Sequence, residues 1–335
     1  MTKKTRYFMA GSAAVLAAGI GTGMIAYWTG GFQAVSASAV ANELRYVPAD
    51  SAMVAFADVR AIMDSELRVR LKEAMPVHEQ GQQEFQAQTG IDIERDIDYV
   101  VAAVAPTGFN TAPLVVARGR FNDTQLETLA REHGGTVEDY KGKRMVVSPA
   151  VKTGDTATHD GAVHVNRTMV LAFLEPGLVA FGDLAAVKNA IDAQLTAHSI
   201  TSNNEMMELV TEMGASNNAW AVGRFDVIAN QANLPEQVTS RLPPVKWFAA
   251  AGHINGGVSG TLRAEAKDDK SAEELRQVVN GFLALGRLQG QADPTTAAVV
   301  NSFQMSGSGK TVALSFTVPA EILQLIPKVG AAVVQ

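Results

Sequence analysis

Lys246–Ala266 reads KWFAAAGHINGGVSGTLRAEA, and its centre decides the fold. Asn255-Gly256 divides Lys246–Asn255 from Gly257–Ala266. Asn-Gly suits a type I′ turn, whose two central residues have positive φ and whose twist matches antiparallel strands. A hairpin is predicted here, and with it an antiparallel sheet. Upstream, Ala219–Val227 reads as a strand closing on Phe-Asp-Val, followed by a helix from about Val227 to Arg241 interrupted at Pro235. Downstream, Ser271-Ala272-Glu273-Glu274 has the spacing of a capping box. It opens a helix with Leu275, Val279, Phe282 and Leu283 on one apolar face. Strands at Val299–Met305 and Thr311–Val318 flank a Gly-rich turn, and Pro319 begins a final helix.

The same order runs through the earlier chain. Ala52–Val59 is an apolar strand closing on Ala-Asp-Val. Ser65–Met75 has helical spacing up to Pro76, and a polar helix His78–Thr89 stops at Gly90. Tyr99–Ala105 and Pro113–Phe121 read as buried strands rich in Val and Ala. Thr124-Gln125-Leu126-Glu127 is another capping-box spacing, and its helix ends at His133 before Gly134-Gly135. Strand pairs around Lys141-Gly142 and Pro176-Gly177 precede a helix Leu184–Leu195. The expected fold is α+β: a tandem duplication of an antiparallel-sheet unit with helices on one face, offset by very roughly 150 residues. The first repeat spans 44–200 and the second 201–335.

Ahead of both lies Tyr7–Trp28, YFMAGSAAVLAAGIGTGMIAYW, with no charged residue and with Lys3, Lys4 and Arg6 before it. A helix of that length reaches roughly 33 Å, enough to cross a bilayer core. Basic residues on the short flank keep that end in the cytoplasm. Residues 1–29 are therefore expected to be a cytoplasmic basic tip and a single transmembrane anchor, and 30–43 a flexible spacer. The bulk of the chain then faces the periplasm or cell exterior, tethered to the inner membrane. Ala37-Ser38-Ala39 offers the alternative of signal cleavage near Ala39, which would release the protein.

Composition narrows the chemistry. The chain has 335 residues and no cysteine, which excludes disulfides, thiolate metal sites and a cysteine nucleophile. The formal charge is −6, and setting aside the +3 of the basic tip leaves the exported part near −9. With no basic cluster, nucleic acid is not an expected partner.

No motif amounts to a site. Gly307-Ser308-Gly309-Lys310-Thr311 resembles a P-loop, but the position that needs the first Gly is Gln304 and an alternating strand follows, so a hairpin turn is expected. Asp92, Glu94, Asp96 and Asp98 lack the Gly and distal Glu of a calcium loop and read as a solvated edge, with Arg95 as counter-charge. Asp155, His159, Asp160 and His164 lie in the polar loop Pro149–Asn166 without spacing that fixes a zinc geometry. His133 suits a helix C-terminus. His253 precedes a turn, and no G-x-S-x-G supplies a nucleophile. Arg118, Arg120 and Arg224 read as solvated strand-end residues beside core Phe121 and Phe225. Catalytic, cofactor-binding and metal residues are all expected to be none, and no cofactor is expected.

Several segments resemble a group of uncharacterised bacterial envelope proteins of acidobacterial type. They are Tyr46–Ser51, Gly90–Val101, Gly119-Arg120-Phe121, Leu174–Val179, Trp220–Asp226 and Gly309–Val312. The resemblance implies an envelope location and a repeated α+β fold, and brings no catalytic residues. The expected function is a membrane-tethered, non-enzymatic interaction or scaffold module whose partner is another envelope protein. The alternative is a carrier for an apolar ligand held beneath Met206, Met207 and Met213. A hydrolase using Asp and His ranks third.

Overall fold

A computed structural model describes residues 37–68, 86–87, 89–108, 111–149, 151–153, 165–215, 217–227, 243–254, 256–290 and 294–319. Tyr7–Trp28, most of the helices expected over 65–89 and 227–241, Asn255, the Asp155–His164 cluster and the helix expected after Pro319 lie outside them. Among the described residues no helix is long and apolar enough to cross a membrane.

In chain order, α1 (Ala37–Leu44) precedes β1 (Met53–Ala57), α2 (Val59–Met63), α3 (Ile93–Asp96), β2 (Ile97–Val104) and β3 (Leu114–Gly119). Next come α4 (Asp123–Glu132), β4 (Thr136–Tyr140), β5 (Lys143–Val147), β6 (Val151–Thr153) and β7 (Val165–Arg167). Then follow β8 (Met169–Glu175), β9 (Leu178–Asp183), α5 (Leu184–Leu195) and α6 (Asn204–Gly214). The rest is β10 (Ala219–Arg224), β11 (Val245–Ile254), β12 (Gly257–Ala266), α7 (Asp269–Gly290), α8 (Pro294–Ser302), β13 (Gln304–Ser306) and β14 (Thr311–Pro319).

The architecture is α+β around one large antiparallel sheet. Its 12 strands run β13-β14-β12-β11-β10-β1-β2-β3-β9-β8-β5-β4, and β6 pairs with β7 apart from it. Both halves of the chain therefore share one sheet, joined where β1 pairs with β10. That ladder runs from Met53↔Gly223 to Ala57↔Ala219. At one end Asp58 N donates to Asn218 O at 2.8 Å, and at the other Arg224 N donates to Ala52 O at 2.8 Å. The second strand on each side carries a register shift at its start, between Ile97 and Tyr99 in β2 and between Val245 and Trp247 in β11. By this register Asp58 matches Arg224. The likeness in wording between Ala57-Asp58-Val59 and Phe225-Asp226-Val227 is two residues out of step.

Helices cover both faces of the sheet, which corrects the expected single covered face. Val100–Val104 and Leu114–Ala117 are buried without interruption. Successive strand residues point to opposite faces, so an unbroken buried run needs cover on each. On one face Val54, Val101 and Val116 pack with α1, α5 and α6 through Leu44, Ile191 and Met206. On the other, Val100, Val115 and Ala117 meet Val59 of α2 and Leu126 of α4. Leu275 of α7 covers Ala266 and Val312 further along.

Three local expectations change. Residues 37–43, placed in the flexible spacer 30–43, belong to the helix Ala37–Leu44, with Val40 and Leu44 in the main core. Val299–Ser302, expected as strand, ends α8, and only Gln304–Ser306 is strand. Tertiary packing overrides β-branched propensity there: a Cβ added at Gly286 of α7 would lie 3.0 Å from Val300, so Gly286 admits the neighbouring helix. The caps also sit upstream of the expected boxes. Asn122 accepts from Gln125 N at 3.1 Å, and Asp268 accepts from Ser271 N at 2.8 Å, which holds the Asp268 carboxyl below its usual range.

The seam between β1 and β10 is reinforced by Trp220 stacked on Phe56 at 5.8 Å between ring centroids. Trp220 is buried. Trp220→Ala is expected to cost about 3–5 kcal/mol. Because one sheet holds both halves, calorimetry is expected to record one cooperative transition moved to lower temperature rather than a second peak.

Candidate functional site

The ends of β10, β11 and β12 frame a groove of about 440 Å³, lined by Arg224, Asp226, Pro244, Val245, Lys246, Trp247 and Lys267. The irregularity after Val245 sets the backbone here, with Lys267 N donating to Pro244 O at 3.0 Å. Arg224 Nη2 pairs with Asp226 at 2.6 Å and holds that carboxyl below its usual range. Lys246 Nζ pairs with Glu205 at 2.7 Å and does the same there. Trp247 is buried, and its Nε1–H makes no well-aligned hydrogen bond among the described residues, although the indole helps Lys246 to hold the Glu205 carboxyl down. Lys267 is exposed, and its charge adds to the Ser271 bond in holding the neighbouring Asp268 carboxyl below its usual range. The groove thus gathers three cations and an indole, with Arg224 and Lys246 already paired to Asp226 and Glu205.

A second polar cluster is buried under α1. Glu43 is fully buried, and its Oε1 accepts from Arg118 Nη2 at 2.5 Å, Arg118 Nε at 3.0 Å and Tyr99 Oη at 3.2 Å. Its Oε2 has no hydrogen-bond partner among the described residues. Tyr46 Oη donates to Glu175 at 3.0 Å, and Arg118 stands 3.7 Å from the same carboxylate. The β8–β9 turn brings Glu175 here: Gly177 sits at φ 71°, and a Cβ there would lie 2.8 Å from Gly119 O. Burial, then the bond to Glu175, pushes the Tyr46 phenol up to about 12. Burial and the nearby Glu43 charge raise Tyr99 as well. The phenols stay protonated as donors, so the cluster fastens α1 to the sheet.

The remaining sequence candidates are dispersed. Gly307–Lys310 joins β13 to β14 as a hairpin turn. His253 pairs with Ser259 in the β11–β12 ladder, and His133 caps α4 with Nδ1 2.8 Å from Leu129 O. Among the described residues no three His, Asp or Glu side chains are placed to hold a metal ion. The acidic run is tied down rather than simply solvated. Asp92 caps α3, Arg68 pairs with Glu94 at 2.6 Å, Arg120 with Asp96 at 3.2 Å, and Arg60 with Asp98. Arg95, the expected counter-charge, is 85% exposed and among the described residues pairs only with Asp92, at 3.8 Å. Arg118 is likewise no solvated edge residue, because Glu43 holds it. Glu43 escaped the sequence reading, although Val40, Leu44 and Val47 around it have helical spacing. Lys246, Trp247 and Lys267 carried no signal, since three strand ends must meet before they form a groove. Met206 and Met213 are buried in the core between α6 and the sheet.

No family model and no curated protein matches the chain. Among solved structures, crystal form I of TP0453 is similar at 11% identity with a TM-score of 0.43, covering 84% of this chain and 94% of that one.

The two polar sites differ in burial and so in energetic weight. Arg118→Met leaves the Glu43 carboxylate buried and unpaired and is expected to cost about 3–5 kcal/mol. Lys246→Met breaks an exposed pair and is expected to cost under about 1 kcal/mol. Urea denaturation of both variants checks the contrast. The raised Tyr46 phenol adds a pH dependence. Its contribution is full below pH ~10 and is lost as pH rises from about 10, where an unfolded tyrosine ionises, to about 12. Absorbance titration is expected to show tyrosines ionising late, and Tyr46→Phe is expected to diminish that phase and leave the part due to Tyr99.

Proposed function

We propose that this chain is a membrane-tethered, exported and non-enzymatic module of the bacterial cell envelope that works by protein contact. Residues 7–28 are its transmembrane helix, Lys3, Lys4 and Arg6 stay in the cytoplasm, and the sheet lies in the periplasm. The observation that carries this reading is the fastening of α1 by Glu43, 15 positions beyond the end of the apolar segment at Trp28. A fully extended link from Thr29 to Ser36 spans only roughly 28 Å. A rigid body therefore starts close to the bilayer, as a tether that positions a binding surface requires. The two halves are a tandem duplication. Support comes from the like strand order on either side of the seam, the matched bonds of Asp58 and Arg224, and the matched irregularities of β2 and β11. The resemblance to acidobacterial-type envelope proteins agrees with this placement.

The tagged full-length protein purified from crosslinked cells tests the reading, with proteins and lipids both identified by mass spectrometry. The expected outcome is a reproducible protein partner at near-equal amount. A stoichiometric lipid without a protein partner would overturn it. Intact mass on the same sample is expected to retain the segment before Ala37, whereas a chain beginning at Val40 would mean a released protein.

A further inference from the structure

Phe282, Leu285 and Leu288 of α7 are each more than half exposed, and Leu195 is the one other large hydrophobic so placed among the described residues. Their helix is already seated on another side. Leu275 and Val279 pack with Ala266 and Val312 of the sheet, and Gly286 admits Val300 of α8. At 3.6 residues per turn, Val278, Gly281, Leu285 and Leu288 form a stripe about a third of a turn away from those contacts. This half of α7 is therefore apolar on two sides, and such a helix calls for cover on both. α4 follows β3 as α7 follows β12, but it has 10 residues against 22, so the stripe lies on length that α4 lacks. Gly281 supplies a second observation. It sits in the interior of α7, where Gly weakens a helix. A Cβ there would meet nothing within 4 Å among the described residues, so no contact inside the chain accounts for it. It is a notch in an apolar stripe, one turn from the exposed Leu285.

We propose that α7 pairs with α7 of a second copy of this chain, antiparallel, along this stripe. The spacing of its four positions decides the occupant. Val278, Gly281, Leu285 and Leu288 are separated by three, four and three residues, the spacing of a helix–helix seam. That order reads the same in both directions. Turning a second copy end for end sets Leu285 over Gly281 of the other copy and Leu288 over its Val278. Each large side chain thus meets a smaller one, and symmetry makes every such contact twice. Phe282 flanks the seam and faces its own counterpart. Arg287 is the one charged residue between Val278 and Leu288, and it lies off the stripe, so no like charges meet on the seam. A fluid lipid surface gains nothing from a notch at Gly281, and an extended peptide does not match a helical period. The pairing goes beyond the interaction-module reading and stands without it, because the stripe belongs to the folded body.

The chain has no cysteine, so single substitutions give unambiguous crosslinks. The full-length protein is reconstituted in phosphatidylcholine vesicles and oxidised. Ala284→Cys, beside the centre of the overlap, is expected to yield a disulfide-linked dimer. Glu274→Cys is expected to yield none, since antiparallel pairing sets its two copies roughly 27 Å apart along the helices. Leu285→Glu added to Ala284→Cys is expected to cut the dimer at least ~10-fold, because it buries a charge in the apolar seam. The melting temperature of the single chain is expected to stay unchanged, since Leu285 is exposed. No dimer from Ala284→Cys, or an equal dimer from Glu274→Cys, would overturn the antiparallel pairing. An equal dimer with Leu285→Glu would overturn it too, and would leave residues 7–28 as the contact between copies. A monomer whose thiol at position 284 is shielded from a water-soluble maleimide would also overturn it. Shielding lost in a chain ended at Pro319 would name the chain's own last residues as the cover, and shielding retained there would name lipid.

Discussion

The antiparallel ladder between β1 and β10 is the constraint on which everything else depends. It converts two sets of strands into one continuous sheet, and its ends are closed by the paired bonds of Asp58 and Arg224. Without it each half would present an unpaired apolar edge strand, the kind of surface that pairs with other chains. With it, only the outer edges remain, and both are blunted. β4 shows Glu138 and Asp139 to solvent, and β13 contributes three residues. The Val- and Ala-rich composition of the central strands follows from this position, because strands buried on both faces have no polar side to show.

Around that sheet the ionic interactions divide by burial. Pairs such as Lys246–Glu205 stand in water and add little stability. Glu43 is different, since a fully buried carboxylate is tolerable only with its partners in place. The cluster of Glu43, Arg118, Tyr99, Tyr46 and Glu175 therefore contributes specificity of assembly more than net stability. It admits α1 in one orientation, and it ties the chain's beginning to the strand ends of β2 and β3 and to the β8–β9 turn.

Much of this fold could be read from local chemistry. The Lys246–Ala266 hairpin, the turns at Lys141-Gly142 and Pro176-Gly177 and the helix Leu184–Leu195 all follow from turn residues and periodicity. What could not be read depends on distant parts meeting. The unbroken apolar runs at Val100–Val104 and Leu114–Ala117 carried a signal for cover on both faces that the expectation of one covered face passed over, and the runs alone do not say which helices come to cover them. Val299–Ser302 reads as strand until Gly286 brings a second helix against it. Glu43 and Arg118 are 75 positions apart in the chain, and neither is unusual alone. The groove is less legible still, because its lining residues lie on three strand ends that meet only in the folded sheet.

The joining of β1 to β10 also sets an order of events. β1 is made early, and β2, its neighbour on one side, leaves the ribosome before β10 does, as do β3, β9 and β8 beyond it. Throughout that interval the first strand has one satisfied edge and one open edge, since its other neighbour does not yet exist. Pairings of such large sequence separation are slow to form because the loop entropy is lost before the contacts repay it. A vectorially emerging chain of this design therefore carries an exposed template for aggregation until its last third arrives. The sheet is completed from the middle, by a strand that appears late.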